Sequence, residues 1–384
     1  MKTLADLNVQ NKVVLLRVDY NVPVNDQGEV ADAARIVETK PTIQYLREHG
    51  AKIVIMAHFG RPKGQVNEAM RFAKIVPTLS AVLGVAVGYA PEPIGPAVQT
   101  KIQQLQPGDV LLLENIRFYP GEEKNDPEFA QQLAALGEVY VNDAFGAAHR
   151  AHASTAGVAT YLPHAAGLLM QREVEELTKV LEHPTAPVVG IIGGAKISTK
   201  LDLIKNLLPK VDYMLLGGAL ANTVLLAQNH KIGKSLVEAE LAGTIKDLLS
   251  NKLKVPVDVV VAKAVEENAP KRVVGLGQVE PDDYILDIGP DTAKLYAECI
   301  HEAKTIIWNG PMGVFEMESF AMGTYHVAKE VANSGAYSVL GGGETVSAVS
   351  KNGLESKISF ISTGGGAMLE FLEGKQLPGI SALN

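Results

Sequence analysis

Arginine and histidine recur at a few places in the first half of the chain: Arg35, His58 with Arg61, Arg117, and Arg150 between His149 and His152. A guanidinium presents parallel N–H donors that match two anionic oxygens, so these residues suit phosphate and carboxylate. Asp19 and Asn21 stand upstream and can take a hydroxyl. One arginine would mean little, because most surface arginines make weak, solvated pairs. Their recurrence points to a shared pocket for a small anion. In the second half glycine takes over: Gly193-Gly194 followed by Lys196, then Gly217-Gly218, Gly310 with Gly313, Gly341-Gly342-Gly343 and Gly364-Gly365-Gly366. Several run straight into helix-length segments, as in Glu344-Thr345-Val346. A glycine turn at a helix start offers free backbone N–H groups and the positive end of the dipole, which together bind phosphate. The second half therefore reads as a nucleotide site.

Each of these groups follows a short apolar run of strand length. The runs are 13–18, 53–57, 85–87, 110–113 and 139–141, then 188–192, 213–216, 257–262, 305–308, 337–340 and 358–361. Unbroken β-branched runs suit strands buried on both faces, as in parallel sheets covered by helices. Segments such as 202–208, 241–253 and 292–303 supply the helical crossovers. The strands exceed one typical sheet of roughly five or six, so the expected fold is α/β, two doubly wound parallel-sheet domains. In such sheets ligands sit beyond the carboxyl ends of the strands, where the arginines and glycines fall.

The spacing predicts an amphipathic helix over 167–181, with Leu168, Leu169, Val174, Leu177, Val180 and Leu181 apolar and Arg172, Glu173, Glu175 and Glu176 polar, stopped by His183-Pro184 and Ala186-Pro187. That places an anion-binding domain at 1–166, a hinge at 167–184, a nucleotide domain at 185–370 and a tail at 371–384.

Composition narrows the classes. Across 384 residues, 35 Lys and Arg stand against 43 Asp and Glu, a net charge of −8. Sequence-independent nucleic-acid binding needs a broad basic footprint, so no nucleic-acid partner is expected. Cys299 is the single cysteine, which removes intrachain disulfides and cysteine-based zinc sites. The start of the chain has no signal-peptide pattern and no run approaches 18 apolar residues, so a cytoplasmic protein without a membrane partner is expected. Gly233-Lys234-Ser235 resembles the end of a P-loop, but Gln228 stands at its first glycine. Gly275-Leu276-Gly277 lacks the third glycine of a dinucleotide fingerprint, carrying Glu280 there, which argues against an unrelated oxidoreductase. His149 and His152 lack a third metal ligand.

Longer motifs are more specific. Arg17-Val-Asp-Tyr-Asn-Val-Pro23, His58-Phe-Gly-Arg-Pro62, Glu114-Asn-Ile-Arg-Phe118 and the segment from Asn142 through His149-Arg150-Ala151-His152 resemble the substrate-domain motifs of the phosphoglycerate kinase family. Gly193-Gly-Ala-Lys-Ile-Ser-Thr-Lys200, Trp308-Asn-Gly-Pro-Met-Gly-Val-Phe-Glu316, Gly341-Gly-Gly-Glu-Thr345 and Ser362-Thr-Gly-Gly-Gly-Ala367 resemble its nucleotide-domain motifs. They run in family order from about residue 10 to the end.

The resemblance implies reversible phosphoryl transfer between ATP and the carboxylate of 3-phosphoglycerate, giving ADP and 1,3-bisphosphoglycerate. It implies substrate contacts from Asp19, Asn21, Arg35, His58, Arg61, Arg117 and Arg150. Nucleotide contacts would come from Gly194, Ala195, Lys196, Lys200, Gly218, Leu286, Asn309 and Pro311, with Glu316 on the ribose hydroxyls. Gly342, Gly343, Glu344 and Thr345 complete that set. Lys196, Arg35 and the N–H groups near Gly343 and Gly365 would neutralise the transferring phosphoryl. Glu344 matches the ligand of Mg2+, bound as Mg-ATP or Mg-ADP. A monomer with a tail that returns to the first domain is the family expectation. The family usually has aspartate at 344, and glycine where this chain has Ala219 and Ile285. The alternative reading is a non-catalytic phosphoglycerate- or nucleotide-binding protein on the same scaffold.

Overall fold

Strands β1 (Val13–Arg17), β2 (Lys52–Met56), β3 (Val87–Tyr89), β4 (Val110–Leu112), β5 (Val139–Asn142) and β6 (His164–Ala166) form one sheet, in the order β3-β4-β2-β1-β5-β6. Every pairing is parallel. Apolar β1 and β2 are almost wholly buried and centre a core that includes Leu16, Ile53, Ile55 and Phe72. Helix Ala34–Glu48 makes the crossover from β1 to β2. The strand order reverses at β1, which has β2 on one side and β5 on the other. The residues after these three strands thus open onto one crevice.

The second sheet holds β7 (Val188–Ile192), β8 (Tyr213–Leu216), β9 (Leu253–Lys254), β13 (Thr305–Asn309), β14 (Tyr337–Gly341) and β15 (Phe360–Ile361), in the order β15-β14-β13-β7-β8-β9 and again wholly parallel. Between β9 and β13 the chain makes a separate antiparallel sheet of β10 (Asp258–Ala262), β11 (Lys271–Gly275) and β12 (Tyr284–Ile288), ordered β11-β10-β12. The run 257–262, expected in the parallel sheet, belongs here. Its partner β11 begins with exposed Lys271 and Arg272, the mark of a strand covered on one face only. The expected helix 241–253 shortens to Ala242–Lys246, because Gly243 weakens it and Leu253 pairs as β9.

The computed structural model describes residues 1–384. The chain divides into two compact units, Met1–Glu175 with Gln376–Asn384, and Glu176–Lys375. The long helix Leu168–Glu182 contains the crossing point between them. The tail lies in the first unit, where Gly379 N donates to Ala148 O (2.8 Å) and Lys2 N to Leu383 O (3.1 Å). No helix is long and apolar enough to cross a membrane.

Candidate functional site

In the first unit the β1 exit builds a cationic crevice from the inside outward. Arg17, the last residue of β1, is completely buried; its Nε donates to Ser154 Oγ (2.8 Å) and its guanidinium reaches Val18 O and His58 Nδ1. A guanidinium can only donate, so His58 Nδ1 accepts at 3.1 Å and the ring proton sits on Nε2. Burial first, then Arg17, Arg117 and Arg35, hold the His58 pKa well below its ordinary value. Burial, then Arg117, Arg17 and Arg150, push His152 down to about 3. Both imidazoles are therefore neutral at physiological pH.

Asn21 Oδ1 accepts from Gly60 N (2.9 Å), which ties the β1 loop to the β2 loop. Arg117 donates to Gly60 O (3.0 Å), while its buried Nε has no hydrogen bond. Asp19 and Arg35 form a partly exposed ion pair. Arg61 and Arg150 are exposed and stand outside the ion pairs of this unit. Arg17, Arg35 and Arg117 all bear on His58, and Arg150 bears on Arg117 and His152, so these cations share one region. Glu114 is not part of it. Buried beneath β4, it accepts from Arg71 (2.9 Å), Tyr89 (2.6 Å) and the amides of Phe72 and Asn115. Arg17 was missed as a site residue because it reads as the end of a strand; the available signal was a full charge in an otherwise buried run.

In the second unit the glycines bring three loops into backbone contact. A Cβ on Gly193 would stand 1.9 Å from Pro311 O, and one on Gly310 would stand 2.2 Å from Gly193 O. Gly310 is also at φ +97°, a conformation that L side chains rarely adopt. These close approaches let Gly193 N donate to Asn309 O (3.0 Å), Gly218 N to Met312 O (2.7 Å) and Leu220 N to Gly194 O (3.0 Å). Lys200 Nζ donates to Gly193 O (2.6 Å) and Asn309 O (3.2 Å), and burial lowers its pKa to about 8. Asn309 Nδ2 donates to Gly341 O (2.7 Å), and Thr345 Oγ1 accepts from Gly310 N (2.6 Å). Lys200, Asn309 and Thr345 thus hold the loops in register. Lys196 is exposed.

Beside these loops lies a cavity of about 470 Å3, mostly apolar, with Ala219, Ile285, Leu286, Met312 and Val314 on its walls. That volume is ordinary for a small-molecule site. Of the residues expected at a nucleotide, Gly194, Ala195, Gly218, Leu286, Pro311, Glu316 and Glu344 line it; Lys196, Lys200, Asn309, Gly342, Gly343 and Thr345 do not. The last three open helix Gly343–Lys351, and Gly365 precedes helix Gly366–Leu372. The amides of such a first turn have no partner within the helix. Glu344, in that turn, is exposed on the cavity rim. No three His, Cys, Asp or Glu side chains converge on a common point, so the chain builds no cage for a metal by itself. A lone carboxylate beside a nucleotide cavity fits a Mg2+ that takes its other ligands from phosphates and water.

A family model described as phosphoglycerate kinase matches residues 4–375. The chain is 53% identical over 388 residues to the phosphoglycerate kinase of Moorella thermoacetica, covering 99% of this chain and 98% of the relative. It is 51% identical over 391 residues to that of Roseiflexus sp. (strain RS-1), covering 100% and 99%. Among solved structures, phosphoglycerate kinase from Coxiella burnetii superposes with a TM-score of 0.90 at 42% identity, covering 99% of this chain and 98% of that one. The enzyme from Pyrococcus horikoshii OT3 gives 0.87 at 36%, covering 100% and 98%.

Proposed function

The chain belongs to the phosphoglycerate kinase family, and from that premise we propose how its own residues carry the transfer between ATP and the carboxylate of 3-phosphoglycerate. The acceptor is already ionised at neutral pH, so the reaction needs no general base. It needs alignment, and neutralisation of the charge on the transferring phosphoryl oxygens.

The crevice of the first unit supplies the acceptor side. Exposed Arg61 and Arg150 meet the phosphate of 3-phosphoglycerate, with Arg117 behind them. His58, neutral and protonated on Nε2, adds a donor without adding charge. Asp19 and Asn21 take the hydroxyl, and Arg35 moves from Asp19 to the carboxylate and the incoming phosphoryl. Keeping Asp19 paired with Arg35 before substrate arrives limits the desolvation cost of a lone cation.

The cavity of the second unit takes the nucleotide. Its apolar walls at Leu286 and Val314 hold the base, Glu316 accepts from the ribose hydroxyls, and Gly194, Ala195, Gly218 and Pro311 allow close approach of the backbone. Lys196 neutralises the transferring phosphoryl, and Lys200 keeps the loops in place. The first-turn amides near Gly342, Gly343 and Thr345, with those near Gly365, donate to phosphate oxygens. Glu344 would hold Mg2+, which supplies charge neutralisation across the phosphates.

Acceptor and donor residues belong to different units, and the reaction must exclude water, since hydrolysis of ATP competes. The chain passes from one unit to the other within the helix Leu168–Glu182. The observation that carries this reading is the pairing of an arginine-rich crevice in one unit with a nucleotide-sized cavity rimmed by Glu344 in the other. The test is ADP formation from Mg-ATP with and without 3-phosphoglycerate. Substrate-dependent ADP that falls by about 100-fold or more in Lys196→Ala is expected. Folded protein that binds 3-phosphoglycerate yet forms no ADP overturns it.

A further inference from the structure

The cavity of the second unit contains a polar group that none of the roles above employs. Asn222 lies on helix Gly218–Ala227, four residues after Gly218 and three after Ala219, so it shares their face of the helix. All three line the cavity, and Asn222 is only 1% exposed. Its Nδ2 donates to the Leu236 carbonyl at 3.1 Å. A carbonyl can only accept, so the amide nitrogen must face Leu236 and Oδ1 must point the other way. That oxygen accepts no hydrogen bond from the protein, yet it is not among the polar atoms sealed from solvent without a partner. It therefore opens into the cavity, whose mostly apolar walls include Leu236, Val259, Leu286 and Ile288 beside the polar Lys234, Tyr284 and Asp287. A buried acceptor in such a place favours a ligand that brings a donor to it.

We propose that Asn222 determines base specificity: its Oδ1 accepts a hydrogen bond from the exocyclic amino group of a 6-aminopurine, so the site prefers adenine nucleotides to 6-oxopurine nucleotides. A 6-oxopurine sets its own acceptor against Oδ1, and the amide cannot turn over without facing its oxygen to the Leu236 carbonyl. The inference rests on the kinase reading only in placing the base of the nucleotide in this cavity.

The experiment measures kcat/KM for ATP, ITP and purine riboside triphosphate, which lacks any 6-substituent, in the wild-type protein and in Asn222→Leu. Wild type should prefer ATP to both others by about tenfold or more, expressed mainly in KM. Asn222→Leu should lose that preference by weakening ATP use while leaving ITP nearly unchanged. A residue that merely props the helix would depress all three nucleotides together, and that result overturns the proposal. If Asn222→Leu does not fold, the wild-type comparison still decides, because equal use of ATP and purine riboside triphosphate overturns it. If no nucleotide supports turnover, the kinase reading fails separately. Calorimetric Kd values for ADP and IDP then judge Asn222, with a ratio near one counting against it.

Discussion

Asp143 fills the space that a side chain on Gly167 would need: a Cβ there would lie 2.2 Å from Asp143 Oδ1. That oxygen accepts from the amides of Leu169 (2.9 Å) and Met170 (3.1 Å), and Gly167 N donates to Asn142 O (2.9 Å). The exit of β5 is thus stitched to the first turn of helix Leu168–Glu182, whose open amides attract a carboxylate. Gly167→Ala should push the carboxylate off both amides and cost about 2 kcal/mol, by overpacking and by loss of two hydrogen bonds. Urea denaturation reads this directly. An unchanged midpoint would mean that the helix start is not held here.

Asp143 and Asp287 also give stability a definite pH dependence. Burial raises Asp143 to about 6 and Asp287 to about 7, against the backbone amides that each accepts. For a carboxyl raised on folding, the native state binds more protons than the unfolded chain between the two pKa values. Their contribution is therefore greatest below about pH 4, falls as pH rises, and is flat above about pH 7. Asp287 accepts from Gly323 N (2.7 Å), at the start of helix Met322–Asn333, on one oxygen and from Ile288 N (2.9 Å) on the other, so Asp287→Asn removes the charge and keeps one of the two acceptors. The stability of the variant relative to wild type should rise as pH increases from about 5 to about 8, by on the order of 2 kcal/mol. Equal pH slopes in the two proteins would show that Asp287 is ionised throughout.

The parallel sheets were legible because Val13–Leu16 of β1, Ile53–Met56 of β2, β7 and Ile306–Trp308 of β13 are uninterrupted stretches without a polar side chain, which suit strands buried on both faces. The antiparallel sheet was not. In β12 the run Tyr284–Ile288 is interrupted by Asp287, whose burial depends on Gly323 N far along the chain. In β11 two charged residues open the strand, and β6 is His-Ala-Ala with no β-branched residue. The arginine crevice was visible as residue types at strand exits, but not its depth. Arg17 differs locally from exposed Arg61 only in standing inside an apolar run, and that run gives no sign of its bond to distant Ser154. Likewise Glu114 reads as a crevice residue until Arg71, Tyr89 and Phe72 are seen to enclose it. Asn222 gave no signal in sequence, since an asparagine inside a helix-length run becomes informative only when Leu236 fixes which way its amide faces.

His58 should stay neutral wherever the protein is folded. Its Nδ1 accepts from Arg17, and burial beside Arg17, Arg117 and Arg35 opposes a second ring proton. Nitrogen-detected NMR should show Nδ1 unprotonated and Nε2 protonated, with no titration between about pH 6 and pH 8. The KM for 3-phosphoglycerate should carry no inflection from His58 in that range. A His58 resonance that titrates near pH 6.5 would contradict the neutral donor assigned to it.

The two lysines of the Gly193–Lys200 loop should separate cleanly under substitution. Lys200 spends its ammonium on Gly193 O and Asn309 O, and a Cβ on Gly310 would lie only 2.6 Å from its Nζ. Lys200→Met strands two carbonyls between closely packed loops and should destabilise the second unit by about 1–3 kcal/mol. ATP should also bind more weakly to it, because the β7 and β13 exits lose their shared tie. Lys196 is exposed and supports no loop, so Lys196→Met should leave thermal unfolding within about 0.5 kcal/mol of wild type. Its loss should appear in kcat, because the charge it balances develops only on the transferring phosphoryl. Unfolding curves and steady-state kinetics on both variants check this. The division fails if Lys196→Met lowers stability as much as Lys200→Met, or if Lys200→Met changes kcat alone.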